Sequence, residues 1–447
     1  MPSNVPNGVA NGDHKGQIRY IPLSYHSTSN ATNDSADNAS ANDDSTNDDS
    51  SARRLILSLR PEWSCPESKI EFVRFTDGIT NTLLKAVNRK PRLSKEQIDG
   101  DAILLRAYGH GTDVLIDRLR EAQNHELLMK HGLAPALLAR FDNGMMYRYI
   151  QGRPCQPSDL RNPSIYLAVA RRIAQWHATV PCLHEPTTGK NGVADASHGS
   201  SLDDIAPGKP IPNTWTVMQK WIRALPTKTE AQRSRQSELQ RELSWLVQKL
   251  SQRPGLGKNG LVFAHCDLLC GNVIIEPKGH GTNGTSNGHG GCQPGEPQPP
   301  SVNFIDYEYA TPSPAAFDLA NHFAEWGGFD CDYSVLPTRA QRLEFIQEYV
   351  HVYFSLVEKP GNDKSFDEEA EVQKLFAEVD MFRGVPGFYW GIWALIQATI
   401  SHIDFDYAKY AEVRLSEYWA WRDAIEGSRE ATGKEVPLRE KRWAQLK

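Results

Sequence analysis

Two short stretches of this chain carry residue types that could together move a phosphoryl group. Ala264-His265-Cys266-Asp267-Leu268-Leu269-Cys270-Gly271-Asn272 reads H-x-D-x-x-x-x-N, and Asn303-Phe304-Ile305-Asp306-Tyr307-Glu308 is an apolar run that ends in acid. In this pattern Asp267 meets the hydroxyl of an acceptor. Asn272 offers its carbonyl oxygen to Mg²⁺, and Asp306 holds the same ion against the β- and γ-phosphates of a nucleotide. A lone H-x-D motif is weak, since an Asp and an Asn also stabilise ordinary turns. Here the order of the three groups and their setting add weight. Leu261-Val262-Phe263-Ala264 precedes the loop and Val273-Ile274-Ile275 follows it, so two strand-like runs flank a polar turn. Glu308 is placed to join the metal or to form an ion pair. His265 reads as a buried ring that holds the loop by hydrogen bonds.

The elements that must position these groups fall into two regions. Glu71–Phe75, Thr82–Val87 and Ala102–Tyr108 read as strands, with Thr76–Asn81 as the turn between the first two. Asp117–His131 has helical spacing and a stop at Gly132. Leu137–Phe141 and Met145–Ile150 form a hairpin across Asp142-Asn143-Gly144. Strand, strand, strand, helix, strand, strand is the order of a kinase N-terminal lobe. From Asn162 onward helical periodicity dominates: Tyr166–Thr179, Trp215–Leu225, Glu230–Ser251, Phe317–Trp326, Arg339–Glu358, Ser365–Met381, Phe388–Ile400 and Asp406–Ala424. The expected class is therefore α+β and bilobal. The expected division is a tail over 1–52 without stable structure, a nucleotide-binding lobe over 53–150, and a catalytic and substrate-binding lobe over 151–435. A low-complexity insert at 277–301 is expected to be flexible.

Composition narrows the function classes. At 447 residues the chain exceeds one ordinary core. Its net charge of -6 gives no electrostatic reason to expect nucleic acid as a partner. No apolar run reaches the ~18 residues needed to span a bilayer. The N-terminus lacks the apolar stretch of a secretory leader, and the seven cysteines show no zinc spacing, so free thiols in the cytoplasm are expected.

The chain resembles the choline/ethanolamine kinase family, most closely its ethanolamine kinase branch. The carriers are Phe75–Asn81, Leu104–Gly109, His265–Asn272, Phe304–Tyr309, Ala316–Phe323 and Trp390–Gln397. The resemblance implies a bilobal protein-kinase-like fold, with ATP and Mg²⁺ as cofactors and ethanolamine as the small-molecule substrate. It leaves room for a homodimer. Leu268-Leu269-Cys270 is the ethanolamine-type wording of the loop, while Cys266 stands where relatives carry Asn. For the nucleotide, the resemblance points to Gly78, Thr80, Asn81 and Arg106, with Glu126 as partner of Arg106 and with Tyr149 and Ile150 at the adenine. For the substrate, it points to Glu325, Tyr333, Trp390, Trp393, Phe405 and Tyr410, because a small cation is held by carboxylates and aromatic faces. On spacing alone Trp390 and Trp393 fit core packing equally well. A choline or dual-specificity kinase, and a kinase-like module that binds without catalysis, are the alternative readings.

Overall fold

The computed structural model describes residues 18–26, 44–75, 81–109, 111–182, 205–206, 209–277, 299–357, 366–401 and 403–447. These fall into two compact units, one of residues 1–109 and 135–149, the other of 110–134 and 150–447. The turn at 76–80, with Gly78 and Thr80, lies outside the described residues, as do 278–298 of the insert and most of the tail.

The first unit is built on a six-stranded sheet. Its strands are β1 (Arg19–Ile21), β2 (Lys69–Phe75), β3 (Asn81–Arg89), β4 (Ile103–Tyr108), β5 (Leu137–Phe141) and β6 (Gly144–Arg148), in the order β1-β5-β6-β4-β3-β2. All neighbours are antiparallel except β1, which lies parallel to β5 with Ile21 opposite Phe141. Strand residues alternate between a buried and a wetter face. Leu84, Ala86, Ile103, Leu105, Ala107, Ala139, Phe141 and Met146 line one core. Helix α1 (Asp44–Leu59) closes that core with Ala52, Leu55 and Ile56, while α2 (Lys95–Gly100) begins on a reciprocal Ser94–Gln97 capping box.

The tail expected to lack structure through residue 52 is a correction. Ile21 and Tyr25 are core residues beside Ala52 and Leu55. Asn143 donates to the Tyr25 carbonyl at 2.8 Å and accepts its N–H at 2.9 Å. Averaged over 52 residues, the Asn/Ser/Asp content hides the short apolar group Tyr20–Tyr25, which adds an edge strand to a sheet that already exists, and α1 starts before residue 52 with its polar turns.

The second unit is mainly helical. α3 (Arg118–Lys130) belongs to it, although sequence order alone placed this helix in the N-terminal lobe. Asn124 donates to the Ala310 carbonyl at 2.8 Å, Arg118 meets Glu308, and Trp221 Nε1 reaches the Leu115 carbonyl just before the helix. Small strand pairs carry the loops of interest. β7 (Arg153–Pro154), β9 (Val273–Ile275) and β10 (Val302–Phe304) form one sheet, and β8 (Val262–Ala264) pairs with β11 (Thr311–Ser313). Glu276 N–H bonds the Ser301 carbonyl, so both ends of the insert meet as a hairpin.

Around these strands pack α4 (Pro163–Thr179), α5 (Thr214–Ala224), α6 (Glu230–Leu250), α7 (Ala315–Ala324), α8 (Arg339–Leu356), α9 (Glu368–Phe382), α10 (Val385–Ile400) and α11 (Tyr407–Ile425), followed by α12 (Ser428–Thr432) and α13 (Leu438–Ala444). The folded part continues past the expected limit of 435. The buried Arg342 guanidinium lies 4.0 Å from the Trp443 ring and donates to its carbonyl. No helix among the described residues is long and apolar enough to cross a membrane.

The tightest helix contact is α10 on α11. A Cβ on Gly387 would stand 2.5 Å from the Arg414 carbonyl oxygen, and one on Gly391 would stand 2.6 Å from Leu415 Cγ. Glycine here lets two backbones approach. Gly387→Ala gains up to ~1 kcal/mol of helix propensity but drives a methyl into main chain, which costs ~1–3 kcal/mol. The expected net result is destabilisation, read as a lower thermal or urea midpoint. A raised midpoint would show that the helices have room to part.

Candidate active site

The loop 265–272 is short and largely buried, and it is held mostly by one helix. Asp318 sits in the first turn of α7, fully buried. One of its oxygens accepts the Cys266 N–H at 2.7 Å, and the other accepts the His265 N–H at 3.0 Å. Three residues on, Asn321 donates to the Cys266 carbonyl at 2.9 Å. One residue further, the His322 ring meets the Leu268 carbonyl at 2.8 Å. Positions i, i+3 and i+4 share a helix face, so Asp318, Asn321 and His322 form one polar strip along the loop backbone. The His265 ring reaches forward to the Ile305 carbonyl, at 3.0 Å, and thus couples the loop to the segment before Asp306. This fits the structural role expected for His265.

The backbone needs this grip. Cys266 has φ +63° and Asp306 has φ +65°, both left-handed, a region that costs a non-glycine residue of order 1–3 kcal/mol. Cys266 directly precedes Asp267, and Asp306 is the acidic residue that ends the second motif. The Cys266 thiol is fully buried, and burial pushes its pKa up, so it is a packed thiol and no nucleophile.

Asp318 is itself braced. His177 on α4 meets it at 2.9 Å through Nε2 and meets the Tyr349 hydroxyl on α8 at 2.8 Å through Nδ1. Burial pushes the Asp318 carboxyl upward, but the hydrogen bond and charge of His177, with help from His265, hold it below the usual value.

Asn272 donates through Nδ2 to the Asp267 carbonyl at 2.8 Å and to Asp267 Oδ2 at 3.2 Å. Its nitrogen is thereby committed, and its amide oxygen is the atom left to face a cation. Asp267 is 7% exposed, and its pKa is raised by burial first and then by the nearby charges of Asp306, Glu325 and Glu308. A concentration of carboxylates that lifts one member is what a cation would relieve. No group of three or more His, Cys, Asp or Glu side chains among the described residues forms a ready metal cage. This oxygen-donor set still fits Mg²⁺, which takes one or two protein ligands and completes its shell with phosphate oxygens and water. Glu308 pairs with Arg118 at 3.4 Å, and Arg118 also holds Glu121 at 2.9 Å, so of its two readings the ion pair is present.

The remaining expected residues sort into three places. Asn81 opens β3, and Arg106 lies buried in mid-β4, both in the first unit. Tyr149 ends that unit with the Lys85 ammonium 3.9 Å over its ring, and Ile150 begins the longer segment of the second. Glu126 meets Lys130 of its own helix at 2.9 Å, while Glu121, one turn earlier, is the buried carboxylate of α3.

In the second unit the aromatic residues form a wall. Trp390 and Trp393 stand edge to face at 5.5 Å. Trp390 Nε1 donates to Asn321 Oδ1, and Trp393 Nε1 to the Tyr309 hydroxyl, each at 2.8 Å. Asn321 thus touches both the loop and the wall. Tyr309 was missed by the sequence reasoning, although it lies three residues after Asp306; a tyrosine there reads as ordinary packing until its hydroxyl is seen on Trp393. Phe405 and Tyr410 stand edge to face at 5.6 Å. Glu325 caps the end of α7 and meets Arg414 at 3.2 Å, while the Tyr333 hydroxyl donates to Glu417 at 3.1 Å. The expected ammonium carboxylate is therefore already shared with a buried arginine that no motif singled out.

A model of the choline/ethanolamine kinase family matches residues 72–419. Human ethanolamine kinase 2 is 34% identical over 374 residues, covering 82% of this chain and 80% of its own length. Mouse ethanolamine kinase 1 is 32% identical over 384 residues, covering 84% and 89%. Among solved structures, an ethanolamine kinase of Plasmodium vivax superposes with TM-score 0.58 at 23% identity, covering 83% of this chain and 88% of that one.

Asp318→Asn replaces an acceptor with an N–H₂ facing two buried N–H groups, and the expected cost is about 3 kcal/mol or more. The pH dependence has a definite sign. Because the folded pKa of Asp318 is depressed, its contribution is full above the unfolded aspartate value of about 3.9 and is lost as pH falls through the lower folded value. Urea midpoints followed from neutral to acid pH should show this loss in the wild type and lack it in the variant. Equal stability of the two proteins at neutral pH would contradict the anchoring.

Proposed function

The chain belongs to the choline/ethanolamine kinase family, and we propose that it is an ATP-dependent ethanolamine kinase, forming phosphoethanolamine for phosphatidylethanolamine synthesis. The fold is the protein-kinase-like one of its solved neighbours, a β-sheet followed by a mainly helical part. The observation that carries the reading is the double contact of Asn321, which ties a phosphoryl-transfer loop to an aromatic wall through one side chain. Reaction class and acceptor pocket thus share one scaffold.

Asp267 accepts or orients the proton of the substrate hydroxyl as its oxygen attacks the γ-phosphoryl in line. Asn272 keeps the Asp267 carboxylate in place, and its amide oxygen together with the Asp306 carboxylate would hold Mg²⁺. Mg²⁺, when bound, neutralises charge developing on the phosphate oxygens. The family resemblance assigns Arg106, Asn81, Gly78 and Thr80 to the nucleotide phosphates, and Tyr149 and Ile150 to the adenine. On the second unit Glu325 takes the ammonium group, and Trp390, Trp393, Tyr333 and Tyr410 enclose the two-carbon chain. A primary ammonium needs hydrogen-bond acceptors, and Glu325 supplies them; Leu268-Leu269-Cys270 and the similarity to ethanolamine kinases support the same choice. The run of buried aromatics from Tyr309 to Tyr410 favours choline as the second reading, since trimethylammonium is held by ring faces.

Two measurements test this. Asp306→Ala should lower phosphoryl transfer at least ~10²–10³-fold with an unchanged circular dichroism spectrum, and wild-type turnover would remove Asp306 from the mechanism. The kcat/KM for ethanolamine should exceed that for choline, and a tenfold preference for choline would reverse the assignment.

A further inference from the structure

A row of buried charges runs from the candidate pocket to the far end of the chain. Glu325 meets Arg414 Nη2 at 3.2 Å, and Arg414 Nε faces Glu417 at 3.7 Å. The same Glu417 oxygen faces Arg439 Nε at 3.6 Å. Arg439 then meets Glu440 at 3.0 Å, and Glu440 meets Arg383 at 2.9 Å. Three carboxylates and three guanidinium groups alternate in sign and cancel. Arg439 belongs to α13, beyond the family match that ends at residue 419, so this part of the row comes from outside the matched region.

We propose that Arg439 is a positioning residue that sets how much negative charge Glu325 offers the substrate's ammonium group, acting through Glu417 and Arg414. The inference rests on the ethanolamine kinase reading. Glu325, Arg414, Glu417 and Arg439 have side chains at most 7% exposed, so solvent screens them little. A buried carboxylate demands compensation. Glu417 now draws on Arg414 and Arg439 together, beside the hydroxyl of Tyr333. Without Arg439 the whole demand falls on Arg414. Its guanidinium then turns from Glu325 toward Glu417, and the row passes from neutral to one net negative charge. Both changes favour a cation at Glu325. Neutralising Glu417 does the reverse: Arg414 is left wholly to Glu325, and the row gains a positive charge.

α13 does not depend on Arg439 alone for docking. Trp443 Nε1 donates to Asp380 at 2.7 Å, and its ring lies against Arg342. Substitution at 439 can therefore change charge while the helix stays in place.

The test compares Arg439→Gln, Arg439→Lys and Glu417→Gln in the full-length protein, by steady-state kinetics with ethanolamine and ATP. Arg439→Gln should lower KM for ethanolamine about three- to tenfold, and Glu417→Gln should raise it by a similar factor. For both variants kcat and KM for ATP should stay within about twofold of wild type, and Arg439→Lys should restore the wild-type KM. Unchanged KM in both glutamine variants, or a rise in both, would overturn the proposal, the second outcome marking Arg439 as a packing residue only. Should Arg439→Gln fail to fold, the direction of the Glu417→Gln shift decides. A wild-type protein that leaves ethanolamine unphosphorylated would instead refute the parent reading.

Discussion

The second unit depends most on one buried carboxylate. Asp318 accepts two successive backbone N–H groups, at His265 and Cys266, just before Asp267. Nothing in the loop itself would hold this turn. Cys266 sits in the left-handed region, where a side chain of its type gains nothing locally. An unpaired N–H in a dry interior costs ~1–3 kcal/mol, so two N–H groups converging on one anion make the strained conformation the stable one. His177 and Tyr349 hold the anion from behind, and through them α4 and α8 take part in placing Asp267.

Seen from α7, reaction and recognition are parts of one design. Its successive polar residues go to the loop backbone, to Trp390 and, at its last turn, to Arg414 through Glu325. The helix is apolar on its other faces, with Phe317, Leu319, Ala320 and Phe323 buried, so it cannot rotate to satisfy one set of contacts without breaking another. The charges follow the same logic. Burial first, and then the carboxylates gathered around it, raise the pKa of Asp267, and carboxylates around Arg414 keep that arginine charged against the burial that opposes it. The first group is arranged to receive a cation and the second to share one.

Much of this was legible in the residues. The strands β2 to β6, the helix α3 and the long helices α4, α6, α8, α10 and α11 follow from periodicity and punctuation, because each must bury one face. The loop and Asp306 were legible because phosphoryl transfer needs those residue types in that order. Three things were not. The first strand is too short to show a period, and the apolar residues of α1 are confined to its C-terminal half, behind a polar start. Residues 110–134 follow the first unit in sequence yet pack with the second, through contacts at Glu308 and Ala310 that lie about 190 positions away. Arg414 and Arg439 look like solvated helix charges in a linear reading, and only the packing of α10, α11 and α13 shows that they are buried and shared. Long-range pairing is invisible to local spacing, and three of the five pairs in the ion-pair row are long-range.

Anchoring of the loop by Asp318 is tested most directly by a single-turnover measurement of phosphoryl transfer from ATP to ethanolamine in Asp318→Asn, with the affinities for both substrates measured on the same protein. If Asp318 holds Asp267 in place, the chemical step slows by about 10²-fold or more while both affinities stay within a few-fold of wild type. A chemical step at the wild-type rate in a folded Asp318→Asn protein would contradict the anchor.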